Sequence, residues 1–124
     1  MKVLIDSSVW INHLRADDER LKELVRTHRA LVHPIVIGEL ALGNLARRRQ
    51  FLDELGDLPP VKEASHFETL MLVERENLHG RGIGYQDAQL LAAVRLTEGS
   101  RFWTADKRLA AVTSELGLAA VLDH

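Results

Sequence analysis

"KVLIDSSVWI", residues 2–11, is the stretch from which the fold can be read. Val3, Leu4 and Ile5 are an unbroken apolar run of the kind that forms an interior strand covered on both faces. Asp6 ends the run at once, two hydroxyls (Ser7 and Ser8) follow, and residues 9–14 then carry Val9, Trp10, Ile11 and Leu14 in a helix-like pattern. A carboxylate left unpaired at the tip of a buried strand is costly. Asp6 therefore needs a partner or a purpose.

Working outward, the same rhythm recurs. Apolar stretches at 3–6, 30–33, 60–62, 102–104 and 119–122 predict short strands. Between them, 18–28 puts Leu21, Leu24 and Val25 on one helical face. Pro34 suits the first turn of a helix that Gly43 or Asn44 can stop. Arg47 to Leu55 reads as a further helix, ended by Gly56 and the Pro59–Pro60 pair. Ser65 with Glu68 is a capping-box pattern, with Phe67, Leu70, Met71 and Leu78 following at helical spacing. "HGRGIG" (79–84) is a loop, "YQDAQLLAAVRLTEG" (85–99) a helix apolar enough at 90–94 to be buried, and 106–116 a last helix ended by Gly117. Strands alternating with helices imply parallel crossovers. The expectation is a three-layer α/β/α sandwich on a mostly parallel sheet, with residues 1–124 as one domain. In such sheets ligands gather outside the carboxyl ends of the strands.

Composition narrows the class. The 124 residues are 46% apolar and 27% charged, the balance of a water-soluble globular protein. No apolar run reaches membrane-spanning length, and the start lacks the layout of a secretory leader. Absence of cysteine removes disulfides and thiolate metal sites and fits a reducing cytoplasm. The net charge of −2 does not advertise a polyanion partner, yet Arg47, Arg48 and Arg49 form a triplet, and Arg101, Lys107 and Arg108 cluster near the C-terminus. Local basic patches can hold a polyanion on a mildly acidic protein. The triplet alone reads as a solvated helix start.

Four acids stand out against this frame. Asp6 ends the first strand, and Glu39 lies in the helix after the second. Asp87 falls in the first turn after the glycine loop, and Asp106 follows "RFWTAD", two residues after Thr104. Parallel strand polarity places all four on one rim. Taken singly, Asp87 and Asp106 read as ordinary helix N-terminal acids. Jointly, four carboxylates repel one another and raise their own pKa values unless cations neutralise them. Oxygen-only donors select hard cations, Mg²⁺ or Mn²⁺ rather than zinc, and two such ions can clamp the attacking water and leaving oxygen of a phosphodiester. Asp6 then becomes a metal ligand. Ser7 and Thr104 are placed to hydrogen-bond the carboxylates or a bound water.

"LIDSSVWI", "PIVIGELALG", "GIGYQDAQLLAA" and "FWTADKRL" resemble the four blocks of PIN-domain ribonucleases, nearest the VapC-type toxins of bacterial toxin–antitoxin pairs. The likeness runs from residue 2 to about 122. It implies a PIN-like fold and an Mg²⁺- or Mn²⁺-dependent endoribonuclease that cuts single-stranded regions of RNA. By position, Asp6, Glu39, Asp87 and Asp106 match the four family acids, and Thr104 the hydroxyl before the fourth. The resemblance also implies a homodimer and a small inhibitory antitoxin that threads into or across the active site. One departure is plain: many relatives carry a further acid two residues beyond the fourth, where this chain has Arg108. Lys107 and Arg108 then become candidates to steer or hold the phosphate backbone of the substrate.

Other motifs are set aside. "GRGIG" lacks the Lys-Ser/Thr ending of a phosphate-binding loop. The six histidines show no zinc-like spacing, and His13 and His79 read as surface residues. Trp103 reads as core; Trp10 and Tyr85 read as core or as base-stacking platforms, with core favoured for Trp10. Candidate dimer faces are the apolar sides of 9–25 or 35–55. Two rival classes share the strand-then-acid opening. A haloacid-dehalogenase-like phosphatase needs an acid where Ser8 stands, and a phospho-accepting receiver-type regulator needs adjacent acids at the first strand.

Overall fold

The computed structural model describes residues 1–122. Strand β1 (Lys2–Ile5) leads into α1 (Ser7–Arg15) and α2 (Glu19–Arg26), then β2 (Ala30–Leu31), α3 (Pro34–Ala41), α4 (Arg48–Gly56), α5 (His66–Arg75), α6 (Tyr85–Leu96), β3 (Ser100–Trp103) and α7 (Lys107–Glu115). The sheet order is β2-β1-β3, and both pairings are parallel. Val3 stands opposite Ala30 on one side and Arg101 on the other. The chain leaves β1 first toward β2 and later crosses back to β3. With right-handed crossovers this puts helices on both faces of the sheet and a reversal point beside β1. The α/β sandwich follows.

Burial explains why β1 is central. Val3, Leu4 and Ile5 are fully buried, so their run needs cover on both sides. α6 supplies much of it: Leu90 through Val94 are all buried, a helix apolar on every side. Caps fix where the helices begin. Ser65 Oγ accepts from Glu68 N–H at 3.0 Å and Glu68 returns the bond to Ser65 N–H at 2.8 Å, the reciprocal box read in the sequence. Buried His33 caps α3 by accepting from Ile35 N–H at Nδ1 (2.9 Å), and burial lowers its pKa, which keeps that nitrogen an acceptor.

The structure corrects several boundaries. The stretches at 60–62 and 119–122 are not strands; each contributes one parallel bridge, Val32 with Pro60 and Phe102 with Ala119. Pro60 has no N–H to continue a ladder, and Gly117, at φ +72, ends α7 just before the second bridge. β3 occupies 100–103 rather than 102–104, and α1 starts at Ser7, directly after Asp6. Phe67, Leu70 and Met71 keep helical spacing but face solvent, with Phe67 69% exposed, while α5 buries Thr69 and Leu72 instead. Exposed apolar side chains also occur in the two faces named from sequence, Ile11 and Leu14 on α1 and Leu42 after α3. Trp10 is buried as expected; Trp103 is half-buried beneath the Arg20 guanidinium, 5.0 Å from its ring centroid. Among the described residues no helix is long and apolar enough to cross a membrane.

Phe102, 1% exposed, joins the sheet to the C-terminal bridge. Phe102→Ala is expected to remove roughly 3–5 kcal/mol of stability, read as a lowered midpoint in urea unfolding with little change in slope.

Candidate active site

Asp6 lies one residue past β1, 6% exposed, and its N–H donates to the Trp103 carbonyl at 2.9 Å. That bond carries the β1–β3 ladder one step further and brings the β1–α1 and β3–α7 junctions together. Hydroxyls from both junctions then meet on the Asp6 carboxylate. Ser8 Oγ donates to Oδ2 at 2.8 Å and Thr104 Oγ1 donates to the same oxygen at 2.7 Å. Each hydroxyl is itself held by a backbone donor: Ala105 N–H to Ser8 Oγ at 3.0 Å, Asp106 N–H to Thr104 Oγ1 at 3.1 Å. The network satisfies Oδ2 of this buried carboxylate fully, as burial of a charge demands, and leaves Oδ1 without a partner among the described residues.

The other three acids are built alike. Ser7 Oγ donates to Glu39 Oε1 at 3.2 Å, tying α1 to α3. Asp87, in the first turn of α6, accepts at Oδ2 from Gly84 N–H at 3.0 Å. Asp106 precedes α7 and accepts at Oδ1 from Leu109 N–H at 3.1 Å. Asp87 and Asp106 thus are helix N-terminal acids, and that structural role does not exclude another. In every case one oxygen is engaged, and among the described residues the second oxygen has no hydrogen-bond partner.

Electrostatics links the four. Burial raises the Glu39 pKa; the Ser7 hydroxyl opposes this, and the charges of Asp6 and Asp87 push it further up. Burial likewise raises Asp87, Gly84 N–H opposes, and Asp6 and Asp106 add to the rise. The carboxylates therefore share one electrostatic neighbourhood. Among the described residues, however, no three His, Cys, Asp or Glu side chains stand close enough to ligate a single ion. The donor set is oxygen-only, and each member keeps an oxygen free, so these residues fit a hard divalent cation toward which they could draw in.

The sequence points to Ser7 and Thr104 as partners of the acids; the structure adds Ser8, which donates to Asp6 from the second position of α1. The readable signal was a hydroxyl two residues past a strand-terminal acid. Lys107 and Arg108 are both exposed at the start of α7. Tyr85 is 43% exposed, and its hydroxyl meets His66 Nδ1 at 2.5 Å, so it is not core. His79 is exposed, while His13 accepts from Asp18 N–H at 2.9 Å.

Residues 3–115 match the PIN domain family. Ribonuclease VapC32 of Mycobacterium tuberculosis, from two strains, is 50% identical over 117 residues, covering 94% of this chain and 94% of its own length. Among solved structures, the crystal structure of PAE2754 from Pyrobaculum aerophilum gives a TM-score of 0.61 at 17% identity, covering 90% of this chain and 79% of that one. At that identity the likeness is one of fold.

The raised carboxylate pKa values have a consequence for stability. Folded pKa values above the unfolded ones mean the fold disfavours the charged forms. That penalty is present at neutral pH and fades as pH falls through the raised values, vanishing below the unfolded value near 4. Glu39→Gln and Asp87→Asn are therefore expected to melt at higher temperature than the parent at pH 7.5 in EDTA, with the gain gone by about pH 4. Thermal melts at the two pH values check this.

Proposed function

This chain belongs to the PIN-domain family, and from that premise we propose that it is a metal-dependent endoribonuclease, the toxin of a toxin–antitoxin pair. Its reaction is hydrolysis of phosphodiester bonds in single-stranded regions of RNA. The observation that carries the reading is the pattern of half-engaged carboxylates: four acids on one rim, each fixed through one oxygen and open at the other. The 50% identity to a protein called a ribonuclease supports the same class of chemistry.

Asp6, Glu39, Asp87 and Asp106 would hold Mg²⁺, or Mn²⁺ in its place. When bound, such a cation supplies positive charge that favours ionisation of water and offsets negative charge building at phosphorus. The chain's own contribution is orientation. Ser8 and Thr104 fix the Asp6 carboxylate, so only Oδ1 is presented. Ser7 does the same for Glu39, and backbone N–H groups do it for Asp87 and Asp106. The N-terminal ends of α1, α6 and α7 lie at these acids and bring partial positive charge to the rim. No side-chain nucleophile is required. Lys107 and Arg108 flank Asp106 as contacts for the RNA backbone. Residues 1–124 act as one domain in the cytoplasm, as a homodimer, under inhibition by a small antitoxin protein. The phosphatase alternative needs an acid at position 8, and Ser8 is there a hydrogen-bond donor to Asp6.

Asp6→Asn keeps an oxygen for both hydroxyls and is expected to fold normally while losing cleavage by about 10²-fold or more. Thr104→Ala, which only loosens Asp6, is expected to lose about 10–100-fold. The assay is cleavage of a labelled single-stranded RNA with Mg²⁺, with EDTA, and with Mn²⁺ added back after chelation. Cleavage that persists in EDTA, or an Asp6→Asn protein as active as the parent, would overturn the proposal.

A further inference from the structure

Gly82 and Arg108 meet beside the acid rim. Gly82 adopts φ +80, and a Cβ placed there would fall 2.8 Å from both Arg108 Cδ and a guanidinium nitrogen, and 3.3 Å from Nε. The arginine stem and head therefore lie across a bare stretch of backbone, at a spot only glycine leaves open. The contact joins two acid-bearing segments. Gly82 is two residues before Gly84, whose N–H holds Asp87; Arg108 is two residues after Asp106.

A second arginine at this junction provides the contrast. Arg81 forms an ion pair with Glu115, tying the loop to the far end of α7. Arg108 has neither an ion pair nor a hydrogen bond among the described residues, although it is exposed, two residues past Asp106, with its side chain against Gly82. The charges that act on Asp87 are those of Asp6 and Asp106. Arg108 is thus positioned by packing on a glycine, and its donors are left for something else.

We infer that Arg108, seated on Gly82, binds a phosphate of the RNA strand next to the acids, and that Gly82 is a positioning residue for it; this rests on the ribonuclease reading above. A guanidinium has only donors, so it is no metal ligand. Its planar fork matches a phosphate in two-point contact, and a stem already laid down on the backbone loses little freedom on binding. A protein of net charge −2 with a negative rim needs a fixed cation at that rim to admit a polyanion.

The test measures binding of a short labelled single-stranded RNA in EDTA over a range of NaCl concentrations. The parent, Arg108→Ala, Arg108→Lys, Gly82→Ala and the Gly82→Ala/Arg108→Ala double variant are compared, with melting curves for each. Arg108→Ala is expected to weaken binding about tenfold and to flatten the log–log salt slope by about 0.7, one phosphate contact. With Mg²⁺ present its loss should appear in KM, not kcat. Arg108→Lys should fall between the two. Gly82→Ala pushes the arginine aside and should reproduce most of the loss with the charge retained, while the double variant binds no worse than Arg108→Ala alone. Should Gly82→Ala fail to fold, the two Arg108 variants decide the matter. Equal salt slopes for the parent and Arg108→Ala, alongside normal metal-dependent cleavage, would remove this proposal and leave the nuclease standing. An equal further loss from Gly82→Ala in the Arg108→Ala background would also overturn it, by showing that the loop acts without the arginine. Absence of cleavage by the parent in both Mg²⁺ and Mn²⁺ would remove the nuclease reading itself.

Discussion

The hold on the Asp6 carboxylate is the interaction from which the rest of the molecule takes its arrangement. A charge 6% exposed at the end of an apolar strand survives only if its surroundings satisfy it. Two hydroxyls do so from opposite ends of the chain, Ser8 from the start of α1 and Thr104 from the residue after β3. They can meet on one oxygen only because β1 and β3 are paired in parallel with Ile5 opposite Trp103. A one-residue slip would reverse the faces of β3 and carry Thr104 away. The sheet is small, but its register is what makes the rim.

The rim is also where the fold works against itself. Glu39 and Asp87 both have pKa values raised by burial and by neighbouring acids, the signature of groups that a purely structural design would avoid. Local rules broken at one place in an otherwise consistent sequence mark a functional site. Three helix N-termini directed at the acids soften the repulsion without removing it. The same helix ends are ready places for anionic oxygens of a substrate once the acids are neutralised.

Much of this was legible in the residues because short-range physics decides it. Val3–Ile5 can only be interior, Ser65 with Glu68 can close a box without help, and Asp87 and Asp106 sit where helix starts accept acids. Parallel alternation then places the acids on one edge. What escaped was whatever depends on contacts between distant segments. Residues 60 and 119 look strand-like locally, but each finds only one partner at the sheet margin. Phe67, Leu70 and Met71 have the spacing of a buried face, yet α5 turns Thr69 and Leu72 inward. Gly82 owes its role to Arg108, and no spacing rule joins positions so far apart.

The central strand is completed by a segment far along the chain. Asp6, just past the end of β1, precedes its hydroxyl partner Thr104 by 98 positions. Until β3 has left the ribosome, the nascent chain carries Asp6 and Glu39 without the strand that brings them level with Asp106. Closure over such a span is slow compared with local helix formation, so the four acids come level only after β3 has paired with β1. That ordering leaves any unfinished copy with an incomplete rim.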